Sequence, residues 1–405
     1  MRIVVLGGGT AGHAFARRAR FFDKQVELCI LDKDGLDQYS PCSLPYFIEG
    51  RTNAVDVYAD YDRDNITYYR GYTPMKREGN TLVCSHPHKE PIELSYDVLV
   101  IALGSIPKRL REEYYYLKSY ADAQRIKQLS SDVAILGGGY IGVELSLSFD
   151  FSVSLYEKES HILGSYLDGD MATLVQEYLV SQGVRVVCNF TDAPIEKNVI
   201  CCIGFEPNIA PLKQLDISPI TTDFFASQEN IYIIGDCSQN KNMLTGNKEY
   251  AFLGGLAKKQ GELLAQNLFS STPTPYQGFI VNSITKVGEL LFGTVGLTAR
   301  SAKQAGMRVF SARFSGLDKY ARLGGRKLVV KLLFLSDGRI IGAQIVGYAD
   351  VSGRLNLLSY CMRMKHTVHQ LALLDTCYNP DSADITDPVV GAALLGVKKL
   401  SVINR

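Results

Sequence analysis

The chain has 405 residues, a formal net charge of +1 and a hydrophobic fraction of 46%, the profile of a globular protein with about one domain per 150 residues, hence two or three. Near-neutrality offers nucleic acid or an anionic membrane no basic face, and no apolar run approaches the roughly 18 residues of a spanning helix. Met1 to Leu6 runs straight into a strand and glycine loop rather than a secretory leader, and nine scattered cysteines without a C-x-x-C pair suit a reducing compartment, so a cytoplasmic location is expected.

Ile3-Val4-Val5-Leu6 is a continuous apolar run, as a strand buried on both faces of a parallel sheet should be. Gly7-Gly8-Gly9-Thr10-Ala11-Gly12 follows, then an amphipathic helix from about His13 to Phe22, then a second strand from Val26 to Leu31 that ends in Asp32 and Lys33. Twenty residues separate Gly12 from Asp32, the spacing a βαβ unit needs for its acid to meet the ribose hydroxyls of a dinucleotide. Gly7 makes the tight turn, Gly9 lets backbone approach the pyrophosphate and Gly12 lets helix and strand pack closely. Thr10, Ala11 and Lys33 complete the cofactor-binding positions expected of this unit.

Tyr39-Ser40-Pro41-Cys42-Ser43-Leu44-Pro45-Tyr46 then places one thiol about ten residues after that acid. Its small and turn-forming neighbours let the sulfur approach a flat ligand, and a helix starting near Leu44 would aim its positive end at a thiolate. Cys42 is the expected redox centre, with a lowered pKa. Position 47 is Phe47, so no second cysteine stands close in sequence. Of the histidines, neither His86 and His88 nor His366 and His369 stand near acids or cysteines at ligand spacing, and no metal is expected. Tyr114-Tyr115-Tyr116 reads as a linker packed between domains.

Val133-Ala134-Ile135-Leu136 opens a second copy of the device, with Gly137, Gly139 and Gly142 in the loop and a strand, Val153 to Tyr156, ending in Glu157. A carboxylate there accepts a free ribose and repels a 2′-phosphate, so NADH is preferred over NADPH, and neighbouring Lys158 softens that preference. Fifteen residues from Gly142 to Glu157 leave room for a helix of about two turns. Tyr140 is expected at the loop's exposed crest rather than packed in a core. Near the end, Leu328 to Leu335 and Ile340 to Val346 read as strands joined by Ser336-Asp337-Gly338, followed by helical periodicity from about Val351 to Leu374. Asn379-Pro380 and Asp387-Pro388 are turn dipeptides.

Together these parts resemble the pyridine nucleotide-disulfide oxidoreductases, enzymes that use FAD and NAD(P)H. Tyr96 to Ser105 is similar to the family's strand and A-T-G crossover, with Leu103 in place of Thr and Gly104 at its glycine. Ile231 to Cys237 is similar to the second flavin segment, which implies that Asp236 holds the FAD ribityl chain, with Gly235 beside it as a cofactor-binding position. Cys201 to Asn208, with Gly204, is similar to the G-x-x-P-N end of the NADH domain.

The resemblance implies an α/β fold of two Rossmann-like dinucleotide-binding domains, for FAD and NADH, plus a C-terminal α+β interface domain. The implied boundaries are 1–106 with 225–280 for FAD, 107–224 for NAD(P)H and 281–405 for dimerisation. In the implied homodimer Tyr378, in Cys377-Tyr378-Asn379-Pro380, sits near Cys42 of the partner subunit.

Within the family, Cys42-Ser43-Leu44-Pro45-Tyr46 is similar to the C-G-L-P-Y of coenzyme A-disulfide reductases and their persulfide-reducing relatives. The implied substrate is a small-molecule disulfide, persulfide or polysulfide, and the alternative is oxygen, as in an NADH oxidase. Thr10 stands where the branch's peroxidases place a histidine, which weighs against that reading. Coenzyme A itself is a further ligand the resemblance raises. The reductases show two adjacent arginines where this chain has Arg20-Phe21, a serine where it has Gln38 and an asparagine where it has Pro41. Arg17, Arg18 and Arg20 are offered to a 3′-phosphate, against the alternative of a basic helix end favourable to its dipole.

Overall fold

The computed structural model of the chain describes residues 1–33, 40–53, 66–192 and 194–403. Gln38 and Tyr39, at the start of the cysteine segment, lie outside them. The first apolar run forms strand Arg2–Leu6, flanked in parallel by Glu27–Asp32 and Val98–Ile101. The complete first sheet runs Ala226–Gln228, Ile231–Ile233, Val98–Ile101, Arg2–Leu6, Glu27–Asp32, Thr67–Arg70. It therefore draws strands from both sides of residues 107–224.

Helices Thr10–Phe22 and Gly254–Leu268 cover one face of this sheet, sharing a core of Val5, Phe15, Ile30, Val100 and Leu264. Their backbones meet closely because a Cβ at Gly261 would stand 2.4 Å from the Ala11 carbonyl oxygen. A three-stranded meander, Thr73–Glu78, Thr81–His86 and Lys89–Ser95, covers the other face through Leu82, Cys84 and Leu94.

The second sheet, Arg185–Val187, Val153–Tyr156, Val133–Leu136 and Asn198–Cys201, is parallel throughout. The third is antiparallel, in the order Asn282–Val287, Leu290–Gly296, Ile340–Gly347, Lys327–Phe334, Phe310–Leu317. The second and third sheets share one core, in which Ile135, Val143 and Leu155 pack with Phe292, Val329 and Val346. A short antiparallel ribbon, Ser105–Pro107 with Phe205–Pro207, joins the first and second units. The architecture is α/β, with a C-terminal α+β unit.

Two elements differ from the sequence expectation. The periodic stretch from Val351 to Leu374 is two helices, Ser352–Arg363 and Val368–Ala372, separated at Lys365, whose φ of 58° is incompatible with a continuing helix. Asp387-Pro388 does not merely turn the chain but starts the helix Pro388–Ile403. Asp387 Oδ1 accepts the Val389 amide at 2.8 Å, and proline is tolerated in a first turn that has no amide partner to lose. Among the described residues, no helix is long and apolar enough to cross a membrane.

Candidate active site

The two glycine loops have the same geometry. Gly7 and Gly137 turn at φ 106° and 103°, and a Cβ there would fall 2.3 Å from the Ala102 oxygen and 2.5 Å from the Cys202 oxygen. At Gly12 and Gly142 a Cβ would strike the Gly7 and Gly137 oxygens at 2.1 and 2.0 Å, so only glycine lets helix and strand close. Gly9 and Gly139 open outward, with nothing within 4 Å of the Cβ position, leaving room beside each loop for a phosphate to meet backbone amides. Asp32 Oδ2 accepts the Gly8 amide at 2.5 Å, and Glu157 accepts the Gly138 and Glu159 amides at 2.8 and 2.9 Å. Both acids are thus anchored on their loops. Thr10 and buried Ala11 open the first helix, and Lys33 is exposed beside Asp32.

Between the loops, the ribbon gathers the remaining expected positions. The Gly204 carbonyl accepts the Lys108 amide at 3.0 Å, and Asn208 donates its amide to the Gly104 carbonyl at 3.0 Å. Gly235 is held by the Gln260 side chain at 2.6 Å, above Ala11. Half-buried Asp236 accepts the Ser105 hydroxyl at 2.8 Å, and Ser105 accepts the Lys118 ammonium at 3.0 Å. Burial pushes the Asp236 carboxyl up, opposed by Ser105 and Lys118.

Cys42 lies in a single turn, Pro41–Ser43, that runs into the helix Leu44–Ile48. Cys42 and Cys377 are the exposed thiols, whereas Cys29, Cys84, Cys201, Cys237 and Cys361 are buried. Cys42 opens to solvent, yet protein surrounds it densely enough that burial pushes its thiol up from the ordinary value; Glu144 adds to the rise and Lys118 opposes it. The expected lowering is therefore not met by the chain's own groups. The helix beside the sulfur has five residues, too short for a strong dipole, and two of the charges felt at the sulfur, Glu144 and Asp236, are negative.

Tyr140 also differs from expectation. It is no exposed crest: its hydroxyl pairs with Ser283 Oγ at 3.0 Å and its ring lies 4.2 Å from Tyr166 and 5.7 Å from Phe292, centroid to centroid. The third sheet folds over the loop and encloses the ring, which a reading of the loop alone cannot reveal. Tyr378 is exposed, immediately before a turn closed by the Ser382 amide on the Asn379 carbonyl at 2.9 Å.

Arg18 stacks on Phe21 and Phe22 at 4.8 and 4.9 Å, and Arg20 caps the Lys24 carbonyl at 2.7 Å, both uses of a helix end. His86 packs on Tyr72 at 4.9 Å, and among the described residues no group of three or more His, Cys, Asp or Glu could hold a metal ion. The residues sequence reasoning missed are Lys118 and Glu144. Burial pushes the Glu144 carboxyl up to about 7, partly offset by the Thr285 hydroxyl. Its signal was an acid four residues after Tyr140, on the same helix face.

Two loops shaped for dinucleotides, joined by a ribbon beside a solvent-reachable thiol, define a nucleotide-dependent oxidoreductase that works with two cofactors. Sequence models agree: that of pyridine nucleotide-disulphide oxidoreductase matches residues 1–198, and that of the corresponding dimerisation domain matches residues 283–398. The chain belongs to the pyridine nucleotide-disulphide oxidoreductase family, which implies flavin and nicotinamide cofactors.

It is 28% identical to the NADH oxidase of Methanocaldococcus jannaschii, over 99% of this chain and 100% of that one. It is 24% identical to the NAD(P)H coenzyme A polysulfide/persulfide reductase of Pyrococcus horikoshii, over 96% and 97%. The solved structure of an NAD-dependent persulfide reductase from A. fulgidus matches with a TM-score of 0.94 at 26% identity, covering 100% of this chain and 84% of that one.

Proposed function

We propose that the chain is an FAD-dependent reductase that takes electrons from NADH, with NADPH a poorer donor, and delivers them at Cys42 to a small-molecule disulfide such as coenzyme A disulfide, or to a persulfide or polysulfide. Bound FAD would supply the two-electron relay between nicotinamide and thiol. Gly7, Gly9, Thr10, Ala11 and Gly12 would hold its pyrophosphate, Asp32 its ribose with Lys33 alongside, and Gly104, Gly235 and Asp236 its ribityl side. Gly137, Gly139, Gly142 and Glu157 would hold NADH, with Gly204 closing that unit and Tyr140 positioned by Ser283. The corresponding division is 1–106 with 225–280, 107–224, and 281–405.

The observation that carries this reading is the exposed Cys42 thiol, with a buried Phe47 where a second cysteine would stand. Each turnover breaks one S–S bond, oxidises one NADH and takes up one proton, leaving two thiols. Cys42→Ser is expected to leave flavin bound and reducible by NADH while abolishing disulfide and persulfide turnover. Full turnover by that variant would remove the assignment.

The relative named NADH oxidase supports a second reading, with oxygen as acceptor. Steady-state NADH consumption with oxygen, coenzyme A disulfide and polysulfide, compared side by side, ranks the acceptors. A coenzyme A adduct on Cys42, seen by mass spectrometry of the isolated protein, would support coenzyme A as resident ligand. The dimerisation-domain match supports a homodimer in which Tyr378 serves Cys42 of the partner subunit.

A further inference from the structure

Gln260 lies on the helix Gly254–Leu268, outside both glycine loops, and it is fully buried. Its side-chain oxygen accepts the amide of Gly235 at 2.6 Å. The ladder of the first sheet ends one residue earlier, where the Ile234 amide meets the Ile101 carbonyl at 2.9 Å. Gly235 then turns away at a φ of 76°, so its buried amide finds its acceptor in a side chain instead of a neighbouring strand. The next residue, Asp236, is anchored separately by the Ser105 hydroxyl at 2.8 Å.

The same helix grips the first glycine loop. A Cβ at Gly261, directly after Gln260, would stand 2.4 Å from the Ala11 carbonyl oxygen, and a Cβ at Gly235 would stand 2.9 Å from the Ala11 Cβ. Ala11, in the first turn of the helix Thr10–Phe22, is therefore met by both glycines. Gln260 bonds one of them and precedes the other in the chain.

We propose that Gln260 is the positioning residue that sets the spacing between the two halves of the FAD site, fixing the Gly235–Asp236 turn on the ribityl side against the Gly7–Gly12 loop on the pyrophosphate side. A ligand whose two halves are covalently joined gains affinity from the second contact only when both subsites stand at the separation of those halves. FAD is such a ligand. ADP carries only the adenosine and pyrophosphate part, so it needs the first loop and Asp32 but not the turn. The inference rests on the flavin assignment of the first loop, and it adds the residue that ties that loop to the turn.

The test titrates the full-length protein, stripped of its flavin, with FAD followed by fluorescence. ADP is added as a competitor of FAD, so that its binding at the second loop does not interfere. Gln260→Met keeps the length of the side chain and removes the accepting oxygen. Its FAD affinity is expected to fall about tenfold while the inhibition constant of ADP stays within about twofold of wild type. Gln260→Glu keeps an accepting oxygen, and at about pH 6, where burial holds its carboxyl protonated, FAD affinity should return to within about threefold of wild type. Gln260→Asn falls one methylene short of Gly235, should show the same loss as Gln260→Met, and carries the test if that variant fails to fold.

Unchanged FAD affinity in the folded Gln260→Met and Gln260→Asn variants would overturn the proposal. So would an equal loss for FAD and ADP, the mark of a general loosening of the unit. A wild-type chain that takes up no FAD would instead remove the flavin assignment itself. Because none of these titrations needs a disulfide acceptor, their outcome is separate from that of Cys42→Ser turnover.

Discussion

Glu157 engages two backbone amides at 2.8 and 2.9 Å, so its charge is fixed in place before a ribose arrives. A carboxylate has about four acceptor sites, so the two amides leave acceptor capacity for ribose hydroxyls. Glu157→Gln keeps an acceptor but removes the repulsion toward a 2′-phosphate. The ratio of kcat/KM for NADH over NADPH is expected to fall about tenfold, ~1.4 kcal/mol, in initial-rate measurements with both donors.

Glu144 makes a second prediction, on stability. Its folded value, about 7, lies above the ordinary 4.5, so between those values the folded state binds a proton that the unfolded chain has lost. Stability from this group is present below pH 4.5 and declines as pH rises through 7. Chemical denaturation at acid and alkaline pH should show this decline in wild type and a flatter profile in Glu144→Gln; a steeper decline in the variant would contradict it.

At the scale of elements, the second glycine loop tolerates no side chain. Gly142→Ala would drive a Cβ to 2.0 Å from the Gly137 oxygen, forcing strand and helix apart. The thermal midpoint should drop and NADH affinity should weaken, because the loop itself moves.

The same steric logic made both loops legible in sequence, since glycine spacing and a terminal acid follow directly from backbone geometry. The helix Pro388–Ile403 was not legible, although Asp387 before Pro388 is a sound start signal; apolar residues such as Val389, Val390, Ala392, Leu394 and Leu395 leave no clean amphipathic period. Lys118, Glu144 and Thr285 were illegible for another reason. They belong to three separate segments, and only the folded chain sets the charges of Lys118 and Glu144 around Cys42 and the Thr285 hydroxyl on Glu144. Tyr140 was misjudged because the sheet that encloses it begins more than a hundred residues later.

Across the whole molecule, the second and third sheets are fastened by charge as well as by their common core. Lys331, on the third sheet, meets Asp168 at 2.9 Å and Asp170 at 2.6 Å, and the Lys331 and Asp168 side chains are only 10% exposed. Lys331→Met would leave Asp168 without its cation, at a cost of about 3 kcal/mol, seen as a lower denaturant midpoint. The exposed leucines Leu394 and Leu395, 50% and 40% accessible, fit a face that another copy covers. Leu394→Glu should yield a monomer by sedimentation that keeps its flavin, and it should lose turnover if Tyr378 serves the neighbouring subunit.

Ser105 stands on the ribbon between the two nucleotide units and is bonded at once to Asp236 and Lys118. A hydroxyl has one hydrogen to give: here it goes to the carboxylate, while the oxygen takes the ammonium. Ser105 and Asp236 belong to the first nucleotide unit and Lys118 to the second, so a swivel of one against the other would load the Lys118 bond and leave the Asp236 bond in place. Ser105→Ala should free the Lys118 ammonium from its tie to the first unit while leaving the ribbon's backbone pairing intact.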